Sequence, residues 1–88
     1  MSRRSTIAGL LTDARQAVEM GRAREAIKAI DEVLARDPAH AEALELAGMA
    51  ALAQDRPADA VRHLRRAVEA DASTVRRMRL AIALRASG

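Results

Sequence analysis

Between residues 23 and 36 the apolar positions recur every three or four places. Ala23, Ala26, Ile27, Ile30, Val33 and Leu34 fall on one stripe, and Arg24, Glu25, Lys28, Asp31, Glu32 and Arg36 take the other side, which predicts an amphipathic helix with one wet face. Residues 59–69 repeat the arrangement, with Ala60, Val61, Leu64, Ala67 and Val68 inward and Asp59, Arg62, His63, Arg65, Arg66 and Glu69 outward. Gly21 supplies the turn before the first of these helices, and Pro57 suits the first turn of the second, where its missing amide costs no bond. Pro38, after Asp37, ends the first unit. The stretch from about 41 to 53 reads differently. Leu44, Leu46, Met49 and Leu52 spread over roughly 200° of a helical wheel and alanines fill most of the remainder, which predicts a central, enclosed helix. Its acids, Glu42 and Glu45, lie near its start, where negative charge complements the exposed amides. Gly48 costs about 1 kcal/mol against alanine inside a helix and so predicts a close approach by a neighbour.

The pattern has a period of 34 residues. That shift superimposes Leu10 on Leu44, Ala17 on Ala51, Arg22 on Arg56, Ala26 on Ala60 and Asp37 on Asp71. It also pairs Val18 with Leu52, Glu25 with Asp59, Ile27 with Val61, Lys28 with Arg62, Ile30 with Leu64 and Leu34 with Val68. Such a period signals stacked supersecondary units, here helix pairs, none of which buries its apolar face alone.

These residues resemble the tetratricopeptide repeat. The second unit carries its pattern in Leu44, Gly48, Ala51, Ala60, Leu64 and Ala67, and the first in Leu10, Ala14, Gly21, Ala26, Ile30 and Pro38. The chain departs from it at Asp13, in place of an apolar residue, at Ala17 and Ala51, in place of tyrosine, at Asp55, in place of glycine, and at Ala72, in place of proline. The resemblance covers about residues 7–74 and implies an all-α, right-handed solenoid of antiparallel helix hairpins with about five helices. Repeat one is expected at about 7–40, repeat two at about 41–74, and residues 75–86 as the first helix of an incomplete third unit. Residues 1–4 are expected to be a disordered tail and 5–88 a single domain.

On the terminal helix Val75, Met78 and Ile82 form an apolar face expected to dock on the preceding unit, with Leu80 and Leu84 on the far side. A terminal repeat is ordinarily polar there. Either the neighbouring helix partly covers the two leucines, or the segment 75–84 meets a second protomer or a partner; Val75, Met78, Leu80, Ile82 and Leu84 are the candidate self-association residues.

Composition narrows the chemistry. The 88 residues hold 22 alanines and no Phe, Tyr, Trp or Cys, which suits close-packed helices and excludes disulfides, cysteine-ligated zinc and thiol catalysis. Residues 1–60 carry 8 bases and 10 acids, whereas 61–88 carry 7 bases and 2 acids, so the charge of +3 is concentrated at the C-terminal end. No apolar run approaches a membrane span of about 20 residues and no secretory signal is evident, so a cytoplasmic protein is expected, from a bacterium with a bias for arginine over lysine. His40 falls in the loop after Pro38 and His63 on a polar stripe, where it is expected to face solvent one turn after Asp59; neither has a metal-ligand set or a nucleophile beside it. The glycines at 9, 21, 48 and 88 are isolated and form no phosphate loop. The expectation is a non-enzymatic protein without cofactor or metal.

Three binding readings follow. By the resemblance, the first helices of successive units line a concave groove, here exposing Leu11, Arg15, Val18, Glu42, Glu45, Met49, Leu52, Arg76 and Arg79 to a peptide or helix of a protein partner, as in an adaptor or small chaperone. One subclass of the family grips a terminal carboxylate through asparagines and lysines; with no Asn and only Lys28 this chain does not fit it, although Arg76 and Arg79 could hold an acidic tail. The alternative is a self-assembly module, a homo-oligomer joined through its open C-terminal end. The third reading is weak nucleic-acid binding through the C-terminal arginines, opposed by the absence of aromatics for stacking and by Glu69 and Asp71 among them, with Arg65 and Glu69 expected to pair one turn apart.

Overall fold

The computed structural model describes residues 6–88, and the expected tail at 1–4 lies outside them. Five helices follow in order: α1 (Ile7–Glu19), α2 (Ala23–Arg36), α3 (Ala41–Ala53), α4 (Pro57–Ala70) and α5 (Thr74–Ser87), with no strand among the described residues. Among the described residues no helix is long and apolar enough to cross a membrane.

The helices start in two alternating ways, and the alternation marks the repeat. Each first helix has a side-chain cap on its third amide: Thr6 Oγ1 accepts from Gly9 N at 3.0 Å, His40 Nδ1 from Ala43 N at 3.2 Å, and Ser73 Oγ from Arg76 N at 3.1 Å. The second helices lack a side-chain cap and are launched from a tight turn. In the first hairpin Gly21 takes φ 71°, its amide donates to Val18 O at 3.1 Å, and Arg22 N donates to Ala17 O at 2.7 Å. In the second, Asp55 takes φ 58°, with Asp55 N to Leu52 O at 3.0 Å and Arg56 N to Ala51 O at 2.9 Å. Both are the left-handed helix stop whose two bonds satisfy the last carbonyls. The substitution of aspartate for glycine at 55 therefore leaves the turn unchanged. Between the hairpins, Asp37 Oδ1 accepts from Ala39 N at 3.3 Å and holds the loop through Pro38.

Packing runs hairpin by hairpin, with α1 on α2 and α3 on α4, while α3 touches every other helix, as its enclosed pattern predicts. One apolar cluster joins the first hairpin to α3 through Leu10, Leu11, Ala14, Ile30, Val33 and Leu46. A smaller one joins α3, α4 and α5 through Ala51, Ala60, Leu64 and Ala83. Gly48 lies directly under α4: a Cβ built there would lie 2.5 Å from Leu64 Cγ, so α4 seats on α3 as it does because that position has no side chain.

The terminal helix docks by the face opposite to the one expected. Ala83 is fully buried and Leu80 packs on the second cluster, whereas Val75, Met78 and Ile82 are 52%, 58% and 56% exposed. The reason lies in the register. Leu80 stands 34 residues after Leu46, which is buried, and it repeats that contact one unit later. The larger apolar triad lies at another phase of the repeat.

Candidate partner-binding surface

Across α1, α3 and α5 a ladder of ion pairs crosses the repeat. Arg15 Nε of α1 lies 2.6 Å from Glu42 Oε2 of α3. Glu45, one turn on, has a side chain only 13% exposed and carries an arginine on each oxygen, with Arg76 Nε 2.9 Å from Oε1 and Arg79 Nε 2.7 Å from Oε2. The Arg76 contact is a hydrogen bond; the Arg79 Nε–H is not aimed at its oxygen, so that contact is an ion pair alone. Arg76 Nη1 also donates to Asp71 O at 2.9 Å and Asp71 Oδ2 at 3.1 Å, and Arg79 Nη1 donates to Met49 Sδ at 3.1 Å. Glu45 thus anchors α5 to α3.

Of the nine groove residues expected from the sequence, eight share this surface in full or in part. Arg15, Glu42, Glu45, Met49, Arg76 and Arg79 are joined by the contacts above, and Val18 and Leu52 are half-buried apolar side chains beside them. Leu11 is the exception: it is 6% exposed and belongs to the apolar cluster that joins the first hairpin to α3. The arginines at 76 and 79 are internally neutralised, so the surface is a self-balanced ladder rather than a cationic pocket. Among the candidate self-association residues, Val75, Met78, Ile82 and Leu84 are exposed and Leu80 is turned inward.

The outer side differs from its sequence reading at two points. His63, expected on the solvated face, is half-buried in a narrow cleft where α2 and α4 splay apart, with Ile27, Leu34 and Gln54 around it. Burial, then Arg62, pushes its imidazole below the ordinary value, against the opposing pull of Asp59, and its Nδ1 has no hydrogen-bond partner. Asp59 bonds Arg62 at 3.0 Å instead of orienting the imidazole. Arg65 and Glu69 form no ion pair; Arg66 donates to Pro38 O at 3.1 Å. With Arg62, Arg66, Arg76 and Arg79 engaged within the chain, the basic C-terminal end offers Arg65, Arg77 and Arg85, spread over two helices. Among the described residues no three His, Asp or Glu side chains are grouped to hold a metal ion.

Sequence alone suggested the members of the ladder but not its pairing, since residues 27 to 34 apart meet only after the hairpins stack. His40 as a helix cap was legible in principle, because it immediately precedes the run from Ala41.

No curated protein and no solved structure matches the chain. A family description, that of the tetratricopeptide repeat, matches residues 11–74, both hairpins but for the first turn of α1. Two hairpins with the same left-handed stop, the same small residues between their helices and a further first helix docked in phase make this chain a member of the tetratricopeptide repeat family.

Proposed function

We propose that this chain is an adaptor that holds a segment of another protein across α1, α3 and α5. Repeats of this family mediate protein–protein interaction. The observation that carries the finer reading is the ladder itself: Arg15–Glu42 and Glu45 with Arg76 and Arg79 tie three helices from three successive units into one continuous surface. Its half-buried Val18, Met49 and Leu52 offer apolar anchor points, and the paired charges between them supply polar contacts at little desolvation cost, because each arginine keeps its carboxylate. An amphipathic helix or an extended segment with alternating apolar residues suits that lining better than an acidic tail, for which no arginine on the surface is unengaged.

A display library of random 15-residue peptides, panned on the immobilised chain, tests this. Enriched peptides are expected to shift the amide resonances of Arg15, Val18, Met49, Leu52 and Arg79, and Leu52→Ala is expected to weaken them by at least about tenfold with the helix content retained. Shifts confined to α2 and α4, or no enrichment, would remove the assignment.

A further inference from the structure

The uncovered stripe on α5 has a register that the first two hairpins define. Thirty-four residues before Met78 and Ile82 stand Leu44 and Gly48, and a further thirty-four before those stand Leu10 and Ala14. All four earlier residues are buried, and Gly48 lies directly under Leu64 of α4. This is the face that each first helix turns toward the second helix of its own hairpin. On α5 nothing among the described residues covers it, and Val75, Met78 and Ile82 form an apolar strip within about 60° of arc.

The side chains of the strip do not accept a helix seated as α4 is. That seating leaves room for Gly48 or Ala14 and for Ala51 or Ala17, whereas α5 has Ile82 and Arg85 at the same two phases. Its occupant stands further off, at the spacing of about 8–10 Å at which branched side chains interdigitate. The opposite edge of the stack does not serve as that occupant. Where α3 meets the preceding hairpin with Ala43, Leu46, Ala47 and Ala50, all buried, α1 presents Gly9, Thr12, Asp13 and Gln16. Head-to-tail addition would press Ile82 onto Asp13 and Gln16, which also line an open cleft with Glu25 and Glu32.

We propose that the occupant is α5 of a second copy, placed antiparallel across a twofold axis. Met78 then faces Ile82 of the second copy, and the stem of Arg85 covers the second copy's Val75. Charge selects this direction. The helix Thr74–Ser87 contains no acid, and the nearest one, Asp71, precedes its start and is 73% exposed. Antiparallel pairing carries each Arg85 toward Asp71 of the other copy and opposes the two macrodipoles, whereas parallel pairing sets Arg85 beside Arg85. Three apolar side chains per copy make a small interface, with dissociation in the micromolar range.

Sedimentation equilibrium on the whole 88-residue chain tests the pairing. The expected mass rises with concentration from 9.5 kDa to a plateau at twice that value. Ile82→Glu is expected to raise the dissociation constant about a hundredfold, tenfold from each copy, with unchanged helix content, and Met78→Glu on the same strip to do likewise. Direction is read by oxidation, which is clean because the chain has no cysteine. An equimolar mixture of Met78→Cys and Ile82→Cys is expected to cross-link, and neither variant alone. A mass of 9.5 kDa up to about 1 mM, masses that climb past twofold, a dimer indifferent to both glutamates, or cross-linking of either variant with itself would each overturn it.

Discussion

Gly21 and Asp55 occupy the same turn with φ 71° and 58°, yet only one is glycine. Aspartate tolerates the left-handed region better than most residues, but its Cβ still meets the following carbonyl there. Asp55→Gly is expected to stabilise the chain by about 0.5–1 kcal/mol, the relief of that contact less the greater freedom of glycine in the unfolded chain. Gly21→Ala should cost about 1 kcal/mol although nothing lies within 4 Å of the added methyl, since the loss is conformational. Urea denaturation checks both; a lower midpoint for Asp55→Gly would mean that the aspartate contributes more than its backbone strain removes. Gly21 as a turn was legible from its place between two periodic runs. Asp55 was legible only through the repeat, as the residue 34 after Gly21 that stands in place of the glycine.

Among the elements, α5 shows how a helix with few buried apolar residues is retained. Ala83 is buried and Leu80 partly so, and the docked face is completed by Arg76 and Arg79, whose heads meet Glu45 of α3 and, for Arg76, Asp71 as well. Glu45→Ala would leave the Arg76 side chain, 15% exposed, without its main counter-charge. The expected loss is about 2 kcal/mol, less than for a fully buried pair, with Glu45→Gln in between. Hydrogen exchange locates it: amides of α5 should lose protection while those of α1 and α2 keep theirs. Uniform loss along the chain would mean that α5 does not open separately. The apolar periodicity of α5 named the wrong docking face because amphipathicity ranks faces by hydrophobicity alone, and a face of arginine and alanine scores as polar until its carboxylate partner is in place.

In the whole molecule, the splay between α2 and α4 makes its acid sensitivity readable. His63 protonates less readily in the fold than its ordinary 6.5, so as pH falls the unfolded chain binds the proton first. Its contribution to stability is complete above about 6.5 and declines below it, toward the depressed value of the folded state. Arg62, Arg66, Asp59 and Asp31 are the charges around the imidazole; burial first, and then the two arginines, keep it neutral against the pull of the two aspartates. Denaturation midpoints at about pH 7.5 and 5.5 should differ less for His63→Gln than for the parent chain. An equal difference would assign the acid sensitivity elsewhere.

What the sequence determined by itself is the set of local choices: five helices, their turns, the period of 34 and the enclosed nature of α3. These follow from contacts between residues three or four apart and from equivalent positions thirty-four apart, which recur along the chain and so are visible in it. The tertiary structure alone decided which arginines meet Glu45, that Leu11 and His63 are withdrawn from solvent, and which face of α5 is left uncovered. Each of those depends on how one unit sits on the next, and a side chain's distance from another unit is fixed by packing at Leu46 and Leu80 rather than by its own neighbours in sequence.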